Sequence, residues 1–304
     1  MDAILSSMKQ LAIIGSTASG KSDLALQTAL SNNAIILSID SLSIYKQIDI
    51  ASAKPTNDEL SSVKHFGIDL LEPNETASVF TFIDEYQKAV EYAKQHEKNL
   101  IIVGGSSFYL KSMIDGLSYV PAITDETKQT AHIMLQDLEQ AHQLLFQLDP
   151  ITMSKITPND SYRLEKMLHL YLQTNVPPSQ WFVQHPPKPI ITQCPVLNIT
   201  IERSVLRERI NLRTHKMITT GLIDEVAFLE QRYGRSPNSM KAIGVIETLE
   251  FLDGKLDKKT LLNDISTHTA QLAKRQQTFN TNQFELCANG SAPDLVATIK
   301  SLLQ

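Results

Sequence analysis

The sequence predicts an α/β protein: a parallel sheet with crossover helices, interrupted by an all-helical insertion. Three observations predict it. Short apolar runs alternate with helical patterns through the first third of the chain, the signature of strands joined by helices. The glycine-rich stretch Gly15-Ser16-Thr17-Ala18-Ser19-Gly20-Lys21-Ser22 follows the first such run directly. From Thr124 to about Asn175 the strand signal vanishes, leaving helical stretches rich in Leu, Gln and His.

In order along the chain, Leu11 to Ile14 reads as a first buried strand and Lys21 to Leu30 as its helix. Ala34 to Ile39 is a second buried strand, ending at Asp40. Phe82, Ile83, Tyr86, Val90 and Ala93 recur near helical spacing and predict a helix over Phe80 to Gln95. Leu100 to Val103 is a third strand, and Gly104-Gly105-Ser106-Ser107 turns into a helix at Phe108 to Ile114. The helical block closes on Pro177-Pro178 and Pro186-Pro187-Lys188-Pro189, which cannot continue a helix. Val196 to Ile201 reads as a returning strand, with long helices from Ser204 onward. The expected division is a core of residues 1–117 and 194–304 around an insertion of residues 118–193.

The chain has 304 residues, 42% apolar and 20% charged, enough for a sizeable core. No apolar run approaches a membrane span, and Met1 to Gln10 has no secretory pattern. Cys194 and Cys287, the only cysteines, have no metal-like spacing and fit a reducing cytosol. The eight histidines show no paired-ligand spacing. A formal charge of −5 gives no overall pull towards nucleic acid, but local clusters count separately.

G-x-x-x-x-G-K-S between strand and helix is a phosphate cradle. Its glycines let several N–H groups converge on one anion, Lys21 adds a point charge, and the Ser22 hydroxyl is placed to ligate Mg²⁺. The motif predicts a grip on a di- or triphosphate without saying which. Asp40 lies at the carboxyl edge of the presumed sheet, beside that loop, where ligands of open α/β sheets bind. It reads as a general base or Mg²⁺ contact, or as a turn or helix-cap residue, which Asp also favours. The half-polar segment from Asp40-Ser41-Leu42-Ser43 to Lys54-Pro55 reads as a binding loop. Gly104-Gly105-Ser106 is a second small-residue turn on the same edge. Basic residues cluster at Arg203, Arg207, Arg209, Arg213, Lys216, Arg232, Arg235 and Lys241. Arg209, Arg213 and Lys216 share a helix face by their spacing of four and three. Further clusters are Arg163 with Lys166, and Lys274-Arg275-Gln276. On a chain already holding a phosphate loop, they admit a polyanionic partner beside the plainer reading of solvated helix faces.

The motifs then fall into a known order: G-x-T-A-S-G-K-S, D-S-x-x-x-Y-K from Asp40, A-K-P at Ala53, H-F-x-I-D from His65, V-G-G-S-x-x-Y from Val103. N-D-x-x-R-L from Asn159, G-L-x-x-E-V from Gly221, K-A-I-G from Lys241 and A-K-R-Q from Ala273 follow. This series resembles the bacterial tRNA dimethylallyltransferases, also called tRNA isopentenyltransferases, from about Leu11 to Phe279. The resemblance implies a core like that of the P-loop kinases with a helical insertion that binds the tRNA anticodon stem-loop. It implies transfer of the dimethylallyl group of dimethylallyl diphosphate to N6 of adenosine 37, with Mg²⁺. Gly15 to Ser22 would hold the diphosphate and Asp40 would be the base. Lys21, Ser106, and Arg209 or Arg213 would complete the catalytic set. Asp40 to Ser43, Ser106, Lys128, Tyr162-Arg163-Leu164-Glu165-Lys166, Met240-Lys241-Ala242-Ile243-Gly244-Val245 and Lys274-Arg275 would meet tRNA. A cytoplasmic monomer that binds no membrane is expected.

Three positions depart from the family pattern: Ser106 where Thr is usual, Val245 where Tyr is frequent, and Lys64 where a second His is frequent. No zinc-finger-like cysteines follow Phe279, so the eukaryotic form is not expected. The competing expectations are a small-molecule kinase using ATP in the same loop, and a transferase that prenylates free adenine nucleotides.

Overall fold

A computed structural model of the protein describes residues 8–304; residues 1–7, most of the stretch without a secretory pattern, lie outside the described part. Up to the insertion the elements are β1 (Gln10–Gly15), α1 (Lys21–Ser31), β2 (Ala34–Ser38), α2 (Asn57–Ser62), β3 (His65–Phe66), α3 (Val79–Gln95), β4 (Asn99–Gly104) and α4 (Ser107–Asp115). Five helices follow: α5 (Asp125–Met134), α6 (Leu138–Leu148), α7 (Pro150–Met153), α8 (Ser161–Thr174) and α9 (Pro178–Gln184). The chain closes with β5 (Val196–Ile199), α10 (Arg203–Thr219), α11 (Leu222–Tyr233), a 3₁₀ turn (Asn238–Lys241), α12 (Val245–Leu252), α13 (Lys258–Gln283), β6 (Ala288–Gly290) and α14 (Ala292–Leu303).

The six strands form one parallel sheet in the order β3-β2-β4-β1-β5-β6. Leu11, Ile13, Ile35, Leu37, Ile101 and Leu197 are fully buried, because helices cover both faces of the sheet. That explains why these strands read as unbroken apolar runs rather than as alternations. The expected strands at Leu11, Ala34, Leu100 and Val196 are present, and β5 stops at Ile199, two residues short of expectation. β3 and β6 were invisible to periodicity, being two and three residues long and half polar. In α3 it is Ala89 that is buried, while Val90 stays half-buried. Burial there follows the centre of the helix stripe, not the larger side chain.

The chain divides into two compact units, one up to Met113 together with Ile191–Gln304, the other Ile114–Ile190. The second unit has its own core of Ala131, Ala141, Leu145, Met153, Ile156, Leu164 and Leu168. Thr124, Asp137, Asp149 and Asp160 each cap the helix that follows, by accepting a backbone N–H. Among the described residues its only β pairing is an isolated bridge between Leu117 and Lys188.

What positions the chemistry is the carboxyl edge of β1, β2 and β4 and one long helix lying against it. α13 runs for 26 residues and is tied to the sheet by a buried amide relay. Asn280 Nδ2 donates to Asn198 Oδ1 of β5 at 3.2 Å, and Asn198 Nδ2 donates to Asn289 Oδ1 of β6 at 2.9 Å. Removing the middle amide strands the amide nitrogen of Asn280, which is fully buried. Asn198→Ala should therefore lower stability by about 1–3 kcal/mol, read from urea denaturation of the whole chain; an unchanged midpoint would show that the relay does not hold α13.

Candidate active site

The phosphate loop is shaped by two left-handed residues. Ala18 has φ 61° and Gly20 φ 90°, and the Ser19 N–H donates back to the Ser16 carbonyl at 3.2 Å. A side chain at Gly15 would lie 2.7 Å from Ser19 Oγ, so only glycine lets the chain fold back so closely on leaving β1. α1 then starts at Lys21 with no side-chain cap. Its first-turn N–H groups, with their positive end of the helix dipole, are left for an anion. Ser16 Oγ and Ser19 Oγ are buried without a hydrogen-bond partner. Two orphaned hydroxyls and uncapped amides fit a diphosphate that would pair with them.

Lys21 sits inside this cradle, with Nζ 3.3 Å from the Ser16 carbonyl. Burial pushes its ammonium down from 10.5 to about 8; the Asp40 carboxylate opposes that shift and the Arg213 guanidinium adds to it. The Arg213 guanidinium is lowered too, by burial, and Asp40 again opposes. Two cations and one carboxylate are thus held in one desolvated place.

Asp40 takes the turn reading with one of its two oxygens. Its Oδ1 accepts the N–H groups of Leu42 and Ser43 at 2.9 and 3.1 Å, an Asx turn. Its Oδ2 accepts nothing from the described residues, and Asp40 lines a cleft of about 930 Å³ with Thr17, Lys21, Ser22, Ser106 and Arg213. One oxygen shapes the loop and the other is available to a ligand. The Ser106 hydroxyl accepts the Ser41 N–H at 3.0 Å, clamping the start of that loop to the turn after β4.

The two arginines on α10 separate by position. Arg213 faces the cleft and reaches the Ser52 carbonyl at 3.5 Å. Arg209 binds the Ser19 carbonyl at 3.3 Å and is absent from the cleft lining. Thr17 has a fixed partner of its own: its N–H donates to Gln276 Oε1 at 2.8 Å.

Two residues that composition and spacing did not single out hold the loop after Asp40 in shape. Lys54, whose side chain is 5% exposed, donates to the Tyr45 carbonyl, Asp49 and Asp69, each at 2.6 Å. Glu225 of α11 accepts the N–H groups of Asp49, Ile50 and Ala51 at 2.7–2.9 Å. Both stand in the A-K-P and G-L-x-x-E-V motifs, but one sequence does not reveal that Glu225 meets backbone atoms far along the chain or that Lys54 is buried between two carboxylates.

The remaining expected residues scatter by burial. Lys241, Ala242 and Ile243 line the cleft, but Met240 and Val245 are buried at 1% and 0%. Their side chains are packed inside the protein, which leaves backbone atoms as what Met240 and Val245 offer a partner. Leu164 is likewise fully buried, in the core of the second unit. Around it Tyr162, Arg163 and Lys166 are exposed, with Lys166 Nζ 5.3 Å from the Tyr162 ring centre and Glu165 half-buried. Arg163 pairs with Asp160 at 2.6 Å and Lys128 with Asp125 at 2.8 Å. Lys274 and Arg275 are exposed on α13, and Arg275 lines the cleft.

No group of three or more His, Cys, Asp or Glu side chains among the described residues could hold a metal. Ser22 Oγ, exposed at the cleft and bonded to no described residue, fits Mg²⁺ of the kind that keeps its waters and binds mainly through substrate phosphates. Cys194 and Cys287 are free, and burial pushes the Cys194 thiol up to about 12, away from nucleophilic use. Among the described residues no helix is long and apolar enough to cross a membrane.

The family model described as IPP transferase matches residues 43–283. A tRNA dimethylallyltransferase of Sulfurimonas denitrificans is 52% identical over 97% of this chain and 100% of its own length. One from a Sulfurovum species is 50% identical over 95% of this chain and 96% of its own. Among solved structures, the tRNA isopentenylpyrophosphate transferase of Bacillus halodurans aligns at a TM-score of 0.70 with 26% identity, covering 98% of this chain and 97% of that one. Its cradle, its cleft and these full-length matches agree, and the chain belongs to the IPP transferase family.

Proposed function

We propose that the protein transfers the dimethylallyl group of dimethylallyl diphosphate to N6 of adenosine 37 in the anticodon stem-loop of tRNA. The observation that carries this reading is the convergence of Lys21, Arg213 and the open oxygen of Asp40 on one cleft, in a chain whose relatives at half identity are named tRNA dimethylallyltransferases. A cytoplasmic reaction fits the two free cysteines.

The donor's diphosphate occupies the loop from Gly15 to Ser22, paired with the first-turn N–H groups of α1, the Ser16 and Ser19 hydroxyls and Lys21. Ser22 would hold Mg²⁺ together with the donor's phosphates, and the ion would supply charge neutralisation there. The adenine N6 lone pair is delocalised into its ring, which makes the amine a weak nucleophile. Asp40 Oδ2 accepts its proton as N6 forms a bond to the allylic carbon. The carbon–oxygen bond breaks with its electron pair leaving on diphosphate. Lys21 and Arg213 stabilise that growing negative charge; Arg209 braces the loop from outside through Ser19. The base reaches the cleft by leaving its stack. Lys241, Lys274, Arg275 and the exposed Tyr162, Arg163, Lys166 and Lys128 engage the RNA backbone and loop.

Incubating the protein with dimethylallyl diphosphate, Mg²⁺ and an anticodon stem-loop RNA should add one isopentenyl group to one adenosine, detected by mass. ATP turnover with a small acceptor, or prenylation of free AMP without RNA, would overturn the reading. Asp40→Asn keeps an oxygen for the Leu42 and Ser43 N–H groups. It should cut kcat by about 10²–10⁴-fold while stem-loop affinity stays within a few fold; unchanged turnover would remove the base assignment.

Lys21 gives the pH dependence. Its folded value of about 8 lies below the 10.5 of the unfolded chain. Between these values the unfolded chain binds more protons, so stability rises with pH across that window. A bound anion favours the ammonium. Affinity for inorganic pyrophosphate, by calorimetry, should therefore fall as pH rises through about 8, by up to about tenfold per pH unit for one linked proton. Lys21→Met should bind weakly and lose that dependence.

A further inference from the structure

Gln276 belongs to the A-K-R-Q motif, yet the proposed chemistry leaves it without a task. Its side-chain amide makes two bonds to two different parts of the site. Oε1 accepts the Thr17 N–H of the phosphate loop at 2.8 Å, and Nε2 donates to the Gly105 carbonyl, in the turn after β4, at 2.9 Å. The partners dictate the orientation, since one can only donate and the other only accept. Gly105 is shaped to receive it: a side chain there would lie 2.8 Å from Nε2. The neighbouring Ser106 hydroxyl holds the Ser41 N–H, and the Asp40 carboxylate holds Leu42 and Ser43. One amide thus joins the loop that binds the donor's leaving group to the turn that fixes the base.

The bridge has a rigid support. Asn280, one helical turn further along α13, is fully buried and bonded to Asn198 of β5. Gln276 is therefore delivered from a helix anchored in the sheet, not from a mobile loop.

We infer that Gln276 is a positioning residue that fixes the separation between the diphosphate cradle and the Asp40 base, so that losing its two hydrogen bonds slows transfer without weakening the grip on either substrate. The physical ground is that a transfer reaction needs its reacting atoms at near-contact distance, and a misplacement of about 1 Å costs on the order of 10²-fold in rate. Gly15–Ser22 and Asp40–Ser43 each keep their own internal hydrogen bonds when the bridge is cut. Each half-site therefore survives while their register is lost. This inference rests on the transferase reading above.

Two substitutions cut the bridge from opposite ends. Gln276→Met keeps the side chain's length and removes both bonds. Gly105→Ala places a methyl group 2.8 Å from Nε2, too close for it to stay, and meets only the flexible end of Gln276 and an ordinary contact with Lys21. Each variant, with the full chain, dimethylallyl diphosphate, Mg²⁺ and the stem-loop RNA, should lower kcat by about 10²-fold. KM for both substrates and affinity for inorganic pyrophosphate should stay within about threefold, and the melting temperature near that of the unaltered chain. The double variant should lose no more than either single one, because both remove the same interaction.

Turnover near the unaltered rate in Gln276→Met would overturn the inference. So would a pyrophosphate affinity that falls in step with kcat, since Gln276 would then serve the cradle alone. Fully additive losses in the double variant would show two unrelated effects and would also overturn it. If the unaltered chain transfers no prenyl group to the RNA, the functional reading fails and this inference goes with it. Normal transfer by the unaltered chain together with normal variants sinks the inference alone.

Discussion

The site depends on holding the Lys21 ammonium in a desolvated cradle. Burial is the largest influence on this group and lowers its pKa from 10.5 to about 8. The nearby Asp40 carboxylate pulls the other way and keeps the ammonium competent. Arg213 shares that carboxylate and adds like charge, so the arrangement is an excess of cation that an anion would complete. A low dielectric makes each of these charges worth more to a ligand than in water, at the cost of stability in its absence. The left-handed backbone at Ala18 and Gly20 belongs to the same device, because a loop curled that tightly aims amides and ammonium at one point.

A carboxylate so close to two cations serves as a base only if its own loop stays put. The loop after Asp40 buries Ile44, Tyr45 and Ile48 and is held by charge as well. Glu225 gathers three consecutive backbone N–H groups, and the buried Lys54 gathers a carbonyl and two carboxylates. Charge-assisted bonds to backbone are stronger than neutral ones and specify one loop shape. The polar sequence of this segment, which reads as a binding surface, is thus explained from beneath: its side chains and amides are spent on fixing geometry as well as on exposure.

The sheet was legible because buried parallel strands must be apolar throughout, and Leu11–Ile14, Ala34–Ile39 and Leu100–Val103 satisfy that locally. β3 and β6 were not, because two or three half-polar residues carry no period and pair only once their neighbours exist. The phosphate loop was legible because glycine and left-handed backbone leave a compositional mark. Met240, Leu164 and Val245 show the opposite: their places within motifs give no sign that their side chains are packed in the interior. A motif records that a residue type matters at a position, without distinguishing a surface from a support. Gln276 and Glu225 lay beyond reach for a further reason, since their partners are backbone atoms more than 150 residues away.

Those long-range partners point to what the fold accomplishes. Thr17, Gly105 and Ser41 sit on three loops from three strands, each free to drift by the small amounts that loops allow. Strand ends alone fix them to within the softness of the turns. The side chains of Gln276 and Ser106 remove that softness, because each bonds backbone rather than another flexible side chain. The same logic explains why α13 ends in a buried amide relay where an apolar contact would pack as well: hydrogen bonds between Asn280, Asn198 and Asn289 fix the helix in register along its axis, which apolar packing alone leaves looser. Precision at the cleft is thereby inherited from the sheet, through a helix whose own contacts are polar at both of the places where register matters.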